Sequence, residues 1–182
     1  MPLPSLGSLQ VDSVMRQVAE YIAVQHRTYH HRAMALDRNQ KEAMEPFFPA
    51  STLDSARVLV LSSERVCNPP FYAELLHMGF DRAILPDFTD MAAITFVDTV
   101  VSHVGFTDRL LFHELVHVVQ YQKLGLEGFA VKYVNGFLGG GSYEAIPLEM
   151  NAHELDARFA ADPAKPFSVE TEVRAWIDAG KL

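Results

Sequence analysis

Residues 110–121 read Leu-Leu-Phe-His-Glu-Leu-Val-His-Val-Val-Gln-Tyr, and the interpretation of the whole chain starts from this stretch. Between residues 110 and 119, every residue except His113, Glu114 and His117 is apolar. A helix that is apolar on nearly all sides is usually buried in a protein core. The three polar residues and Gln120 stand at i, i+1, i+4 and i+7, so they form a narrow stripe along that helix.

The polar stripe has the composition of a metal centre. Histidines four residues apart share a helix face, so His113 and His117 can present imidazole nitrogens to the same zinc ion. Glu114 can reach a water on that ion and act as a general base, which is the HExxH pattern of zinc peptidases. Core hydrogen bonds could satisfy two buried histidines instead. Metal binding is favoured because an unpaired polar stripe on a buried helix is costly.

The limits of this helix and the source of a third ligand follow from neighbouring residues. Thr107 and Asp108 can cap the N-terminus, and Gly125 can end the helix. The longer metzincin pattern HExxHxxGxxH is not met, because Gln120 stands at the glycine position and Lys123 at the position of the third histidine. A third zinc ligand must therefore come from elsewhere in the chain.

A second helix is predicted to begin near Pro147, since proline suits the first helical turn. Glu149, His153 and Asp156 share one face of this helix at i, i+4 and i+7. Ala152 lies close to that face and is small enough to allow a near approach to the first helix. The candidates for the third ligand are Glu144, Glu149, His153 and Glu154.

An HExxH helix followed by a helix with Glu-x-x-Ala, here residues 149–152, resembles the gluzincin arrangement of zinc metallopeptidases. The run His-Glu-Leu-Val-His-Val-Val-Gln is similar to that of uncharacterised bacterial metallopeptidase families. The resemblance covers about residues 93–160, and the Asn-Glu-x-x-Ser-Asp form of the best-known gluzincins is absent. It implies that His113, His117 and Glu149 bind zinc and that Glu114 is the catalytic base.

The expected fold is a single α+β domain over residues 1–182, mostly helical and zincin-like, with a small sheet beside the metal-binding helix. Residues 93–101 are rich in β-branched side chains and predict a strand, and a second strand is predicted at 57–61. By resemblance, the 93–101 strand forms the sheet edge at which a substrate peptide binds as an added strand. An ordinary buried strand is the alternative.

Further helices are predicted at 8–35, continued at 40–44, and at 71–78 and 169–178, while 129–137 is either helical or irregular. The inward-facing residues of the first are expected to be Leu9, Val14, Val18, Ile22 and Ala33. The glycine-rich residues 136–142 are expected to form a loop between the two metal-site helices. Tyr143, just after them, can serve as a catalytic hydrogen-bond donor to a developing oxyanion, or simply pack.

The remaining histidines give weaker signals. His26 and His30 are also four residues apart, with His31 adjacent, but no acid accompanies them in the sequence, so a solvated helix face is expected. His77 and His103 stand alone, and no role is predicted for either.

Composition restricts the partners. A net charge of −8 and a pI near 5.4 argue against general nucleic-acid binding. The only cysteine, Cys67, excludes an intramolecular disulfide and fits a reducing compartment. Because no signal peptide and no membrane-spanning stretch is evident, a cytoplasmic protein without a membrane partner is expected.

Two functions remain open. The first is a zinc-dependent peptidase that cleaves a peptide or protein substrate with a metal-activated water and Glu114 as base. The second is a non-catalytic zincin-like module that binds zinc for stability or for a partner. Glu114 favours catalysis, since two ligating histidines do not require an acid between them.

Overall fold

Helices dominate the computed structural model, which describes Pro4 and residues 6–182. The expected mostly helical α+β class is confirmed. The helices are α1 (Ser8–His30), α2 (Arg38–Met44), α3 (Ala50–Ser55), α4 (Tyr72–His77), α5 (Asp108–Gly140), α6 (Pro147–Ala161) and α7 (Val169–Asp178). The strands are β1 (Met34–Ala35), β2 (Arg57–Val60), β3 (Ala93–Phe96) and β4 (Thr99–Ser102). None of the helices in the described part of the chain combines the length and apolar character needed to cross a bilayer.

The strands form a small mixed sheet in the order β1-β2-β4-β3. Strand β2 runs parallel to β4, whereas the β1–β2 and β3–β4 pairs are antiparallel. The strand predicted at 57–61 is confirmed as β2. Strand β3 lies at one edge of the sheet and packs against α5, so the edge position expected beside the HExxH helix is also found.

The single strand predicted over 93–101 is wrong, because this segment is a hairpin. Strands β3 and β4 pair from Phe96–Thr99 outward and are joined by Val97 and Asp98. Val97 has a φ of 63°, a conformation that β-branched residues rarely adopt. Two-residue hairpin turns usually contain glycine or asparagine. Because this segment contains neither, its β-branched residues predicted one continuous strand instead of a hairpin.

Helix α5 begins and bends where the sequence indicates. The side chain of Thr107 accepts a hydrogen bond from the backbone N–H of Leu110, which caps the first turn. At Gly125 the backbone leaves the helical conformation, with φ 69° and ψ 169°, and a second helical segment follows at once. The predicted end of the first segment at Gly125 is therefore confirmed, and residues 129–137 are helical.

The loop expected at 136–142 is largely wrong, because α5 continues to Gly140. A Cβ atom on Gly136 would lie 2.5 Å from Cδ of Pro147, and a Cβ atom on Gly140 would lie 2.5 Å from Cβ of Ala145. These two glycines therefore allow close packing against the start of α6. Gly141, with a φ of 80°, ends the helix and starts a short connection to α6.

The other helices agree with the predictions in part. Helices α4 and α7 are confirmed, but α1 ends at His30, and residues 34–35 belong to β1. Helix α2 is separate from α1, and its N-terminus is capped by the side chain of Asp37. Val14 and Ile22 are buried as expected, whereas Leu9 is 82% exposed.

Aromatic packing fixes the first segment of α5 against α6. The ring of Phe112 stacks on Phe159 with centroids 4.4 Å apart, and Phe47 and Phe48 meet it edge-on. Burial of a phenylalanine side chain contributes about 1.5–3 kcal/mol. This packing sets the position of the polar stripe of α5 relative to α6.

Candidate metal centre

The structure brings together the three residues predicted as metal ligands. His113 and His117 lie one turn apart on α5, and Glu149 lies in the first turn of α6. The Nε2 atoms of the two histidines are 3.3 Å apart. Oε2 of Glu149 lies 3.7 Å from Nε2 of His113 and 3.4 Å from Nε2 of His117.

This triangle has the dimensions of a zinc site. Two ligand atoms that each lie about 2.0–2.2 Å from a tetrahedral zinc ion are separated by roughly 3.3–3.6 Å. Two of the observed separations, 3.3 and 3.4 Å, fall in that range, and the third, 3.7 Å, lies just above it. Three protein ligands would leave the fourth tetrahedral position free, as in catalytic zinc sites.

His113 is oriented by a carboxylate on its far side. Its Nδ1 atom lies 2.9 Å from Oδ2 of Asp156, and Arg109 donates two hydrogen bonds to the other oxygen of Asp156. These contacts hold the pKa of Asp156 below its ordinary value despite burial. The ionised carboxylate can only accept, so Nδ1 of His113 is the donor and Nε2 keeps a lone pair toward the triangle.

His117 is oriented by an amide. Nε2 of Gln120 donates to the carbonyl of Leu148 and to Oδ1 of Asn151, both at 3.0 Å. Its Oε1 atom therefore faces Nδ1 of His117, 2.8 Å away, and accepts a hydrogen bond from it. Nε2 of His117 consequently also presents a lone pair to the triangle.

The centre of the triangle requires positive charge. Oε2 of Glu149 has no hydrogen-bond partner among the described residues, although Glu149 is only 4% exposed. Three atoms with lone pairs that converge in a buried place repel one another unless a proton or a metal ion lies between them. The donor set of two imidazoles and one carboxylate is that of zinc sites such as those of the His₂Glu type.

Without a metal ion, protons must supply this positive charge, and the pKa values of His113, His117 and Glu149 are shifted accordingly. Burial lowers the pKa of His113, but the Asp156 and Glu149 carboxylates outweigh it and raise the pKa to about 10. Burial likewise opposes the rise in the pKa of His117, which comes mainly from Glu149. Burial would raise the pKa of Glu149, yet the two histidines hold it well below its ordinary value. A bound metal ion would replace these protons.

Glu114 is held beside the triangle without being part of it. Its side chain is 4% exposed, and Oε2 accepts a 2.7 Å hydrogen bond from the hydroxyl of Thr95 on β3. The same hydroxyl lies 3.2 Å from the backbone carbonyl of Glu114. The edge strand thus fixes the carboxylate for which the sequence predicts a general-base role.

Tyr143 lies on the cavity wall near Glu149. Burial and the Glu149 carboxylate raise the pKa of the Tyr143 phenol well above its ordinary value, so the hydroxyl keeps its proton. Part of the side chain packs against the core, which agrees with the packing alternative. A protonated phenol at this place can also donate a hydrogen bond to a ligand.

The other candidates for the third ligand are less well placed. Glu144 and Glu154 are exposed. Atoms of His153, Glu149 and His113 that could bind a metal lie within 4.8 Å of one another, but the side chain of His153 is 54% exposed. Glu149 is nearly as close to His117 as the two histidines are to each other, so it is the better third ligand.

A cavity adjoins the site. Its lining includes the polar residues Glu114, His117, Glu149 and Tyr143 and all four residues of β3. The remaining wall is chiefly apolar and includes Tyr21, Ile22, Phe71, Leu85, Phe129 and Phe137. An apolar cavity with a few converging polar groups is typical of a ligand-binding site.

Four supporting residues were not identified from the sequence as parts of the site: Thr95, Arg109, Asn151 and Asp156. Asp156 was placed on the same helical face as Glu149, and Gln120 in the polar stripe, but neither was assigned to orient a histidine. Their periodicity was a usable signal, because a polar residue on a buried face needs a partner. Thr95 and Arg109 gave no comparable signal.

The solvated helix face expected for His26, His30 and His31 is found only in part, because His31 is exposed whereas His26 and His30 are partly exposed and have polar partners. His26 contacts Asp98 at 2.8 Å, and His30 contacts Thr99 at 2.9 Å, where α1 packs on the β3–β4 turn. His103 does not reach the metal centre. Its Nε2 atom accepts a hydrogen bond from the N–H of Val66, and its Nδ1 atom lies 2.6 Å from the carbonyl of Met91.

No protein-family model, curated protein or solved structure matches the chain.

Proposed function

We propose that this protein is a zinc-dependent peptidase of gluzincin-like type, with His113, His117 and Glu149 as the zinc ligands. The observation that carries the proposal is the triangle of converging acceptor atoms with a separate buried acid, Glu114, on the same cavity. A purely structural zinc site is normally closed by four protein ligands and needs no such acid.

Each residue at the cavity has a distinct chemical role. Zinc, when bound, supplies a Lewis acid that polarises a carbonyl and makes water more acidic. Glu114 accepts a proton from the attacking water and returns it to the leaving amine, while Thr95 keeps the carboxylate in position. Tyr143 donates a hydrogen bond to the oxygen on which negative charge develops.

The cavity and β3 indicate how a peptide or protein substrate is held. Strand β3 is the last strand of the sheet among the described residues, its residues are buried, and they line the cavity that also contains Glu114. A peptide that pairs with this edge would gain backbone hydrogen bonds. The apolar wall would then accept an apolar side chain of the substrate, which sets a preference for hydrophobic residues near the cleaved bond.

The second candidate is a zinc-binding module without activity. It is favoured by the location of the ligands on two different helices, α5 and α6, each ligand being less than a tenth exposed. A metal ion there would join the helices and stabilise the fold. In this alternative, Glu114 serves only as a hydrogen-bonding partner of Thr95.

The two candidates are separated by peptide cleavage. Zinc-loaded wild-type protein, Glu114→Gln and the control Glu154→Gln are incubated with a broad peptide library, with and without a chelator. We expect cleavage by wild type and control, loss of at least about 10²-fold in Glu114→Gln, and loss in all samples with chelator. If the zinc content of Glu114→Gln is unchanged, the loss of cleavage is due to the missing base and not to missing metal.

Two outcomes would exclude catalysis by this mechanism. One is zinc-loaded wild type that cleaves nothing across the library over a broad range of pH, which supports the binding module. The other is a Glu114→Gln variant that cleaves as fast as wild type.

A further inference from the structure

A second cluster of metal-binding side chains lies where α1 crosses the β3–β4 turn. His26 and His30 stand one turn apart on α1, and Asp98 is the second residue of the turn. Their candidate ligand atoms all lie within 4.8 Å of one another. We propose that His26, His30 and Asp98 form a second site, which binds a divalent transition-metal ion such as Zn²⁺.

The positions of the three atoms suit a shared ion. Oδ1 of Asp98 lies 2.8 Å from Nε2 of His26 and 3.3 Å from Nδ1 of His30. The two imidazole rings have centroids 4.8 Å apart and are tilted by 46°. Ligands of a tetrahedral ion lie roughly 3.3–3.6 Å apart. The Asp98–His30 separation already fits this range, and the Asp98–His26 separation must lengthen to admit the metal.

Hydrogen bonds of the β3–β4 turn position these side chains in the absence of metal. The backbone carbonyl of Asp98 accepts a 2.8 Å hydrogen bond from the N–H of Arg57, which ties the turn to the sheet. The hydroxyl of Thr99 donates to Oδ1 of Asp98 at 2.9 Å and lies 2.9 Å from Nδ1 of His30. Without metal, this small network satisfies the histidines, so the site does not need an ion to fold.

The chemistry and exposure of the cluster define the ligand. Two imidazole nitrogens and one carboxylate oxygen favour Zn²⁺, Ni²⁺ and Cu²⁺ over Ca²⁺ or Mg²⁺, which prefer all-oxygen sites. The side chains of His26, Asp98 and His30 are 27%, 29% and 43% exposed, so an ion can enter from solvent and keep water as further ligand. The exposure and competing hydrogen bonds make this site weaker than the buried one.

The bound ion would link α1 to the hairpin that carries the edge strand. Strand β3 ends at Phe96, directly before the turn residue Val97. The hydroxyl of Thr95 on this strand donates a hydrogen bond to the carboxylate of Glu114. A cross-link at Asp98 therefore restrains the turn end of this hairpin. The existence of this site does not depend on the activity proposed for the buried centre.

The test compares zinc uptake by the full chain and by matched variants. Wild type, His26→Ala, His30→Ala and His31→Ala are stripped of metal and dialysed against increasing free Zn²⁺, and bound zinc is measured by elemental analysis. His31 is the control because it directly follows His30, is exposed, and among the described residues hydrogen-bonds with the carbonyl of Arg27 rather than with Asp98. We expect wild type and His31→Ala to bind one equivalent more than His26→Ala and His30→Ala.

Equal uptake by all four proteins would overturn the proposal, whether or not the buried centre also binds zinc. Wild type also gives an answer that does not depend on the folding of variants. In ¹⁵N spectra of its histidines, added Zn²⁺ should shift Nε2 of His26 and Nδ1 of His30 while the resonances of His77 remain in place. Unchanged His26 and His30 resonances in saturating Zn²⁺ would contradict the site.

Discussion

At the level of single residues, the two histidines proposed as zinc ligands have different partners. A carboxylate, Asp156, supports His113, whereas the neutral amide of Gln120 supports His117. A carboxylate raises the basicity of the imidazole that donates to it more than an amide does. His113 should therefore contribute more to metal affinity than His117, and the contribution of His113 should depend on Asp156.

The first prediction is that Asp156→Asn weakens zinc binding by about tenfold or more, because the orienting charge behind His113 is lost. Affinity is measured by competition with a chromogenic chelator. Glu154→Gln, an exposed acid on the same helix, is the control and should bind as wild type does. Equal affinities for Asp156→Asn and the control would show that Asp156 does not support the metal centre.

The second prediction concerns Thr95→Val, which removes the hydroxyl from the Glu114 carboxylate while keeping the shape of the side chain. A hydrogen bond to a charged group contributes about 1.5–3 kcal/mol, so kcat/KM for a cleaved peptide should fall by roughly tenfold or more. Zinc content should not change, because the hydroxyl of Thr95 hydrogen-bonds to Glu114 and not to a residue of the triangle. Thr89→Val is a control outside the cavity. Full activity in Thr95→Val would show that Thr95 is not needed to position Glu114.

At the scale of elements, the sequence predicted best where periodicity was strong. The α5 and α6 helices, with His113, His117 and Glu149, followed from helical spacing together with a family resemblance. The hairpin was not predicted because Val97 adopts a turn conformation with positive φ that valine rarely adopts. The extension of α5 to Gly140 was missed because a glycine required for close packing looks the same in a sequence as a flexible one.

The pairing between elements was the part that the sequence could not supply. Which polar residue of α6 faces His113 depends on the relative rotation and shift of two packed helices. Asp156 and Gln120 were thus visible as buried polar residues, but their partners were not. Thr95 reaches Glu114 only because β3 is the edge strand of a hairpin packed on α5.

The third prediction tests the close contact between α5 and the start of α6. Gly140→Ala would place a Cβ atom 2.5 Å from Cβ of Ala145 and should destabilise the protein by about 1–3 kcal/mol. The matched control is Gly139→Ala, whose Cβ atom would meet nothing within 4 Å. This control should be neutral or stabilise by up to about 1 kcal/mol, since alanine favours helix. Urea unfolding measures both, and similar free energies for the two variants would contradict the packing.

At the scale of the whole molecule, α5 is the element on which the others pack. It contacts α1, α6, α7 and β3, and residues 111–121 are buried throughout. The face that carries His113 and His117 meets α6, so the candidate ligands come together only when the core is assembled. Metal binding and folding should therefore be linked.

The fourth prediction is that zinc raises the melting temperature. A ligand at 100 times its dissociation constant stabilises the folded state by about 2.7 kcal/mol, which corresponds to roughly 5–11 °C for a domain of this size. Scanning calorimetry with and without chelator measures the shift. His113→Ala should show little of it, whereas the control His77→Ala should respond as wild type does. A shift of the same size in His113→Ala would place the stabilising metal elsewhere.

The most direct test of the central claim is the position of the metal in a crystal of zinc-loaded protein, found by anomalous scattering at the zinc absorption edge. We expect a peak about 2.0–2.2 Å from Nε2 of His113, Nε2 of His117 and Oε2 of Glu149. Saturated crystals that lack this peak would rule out the proposed zinc centre. So would a zinc ion held by His153 or Glu144 while Glu149 points to solvent.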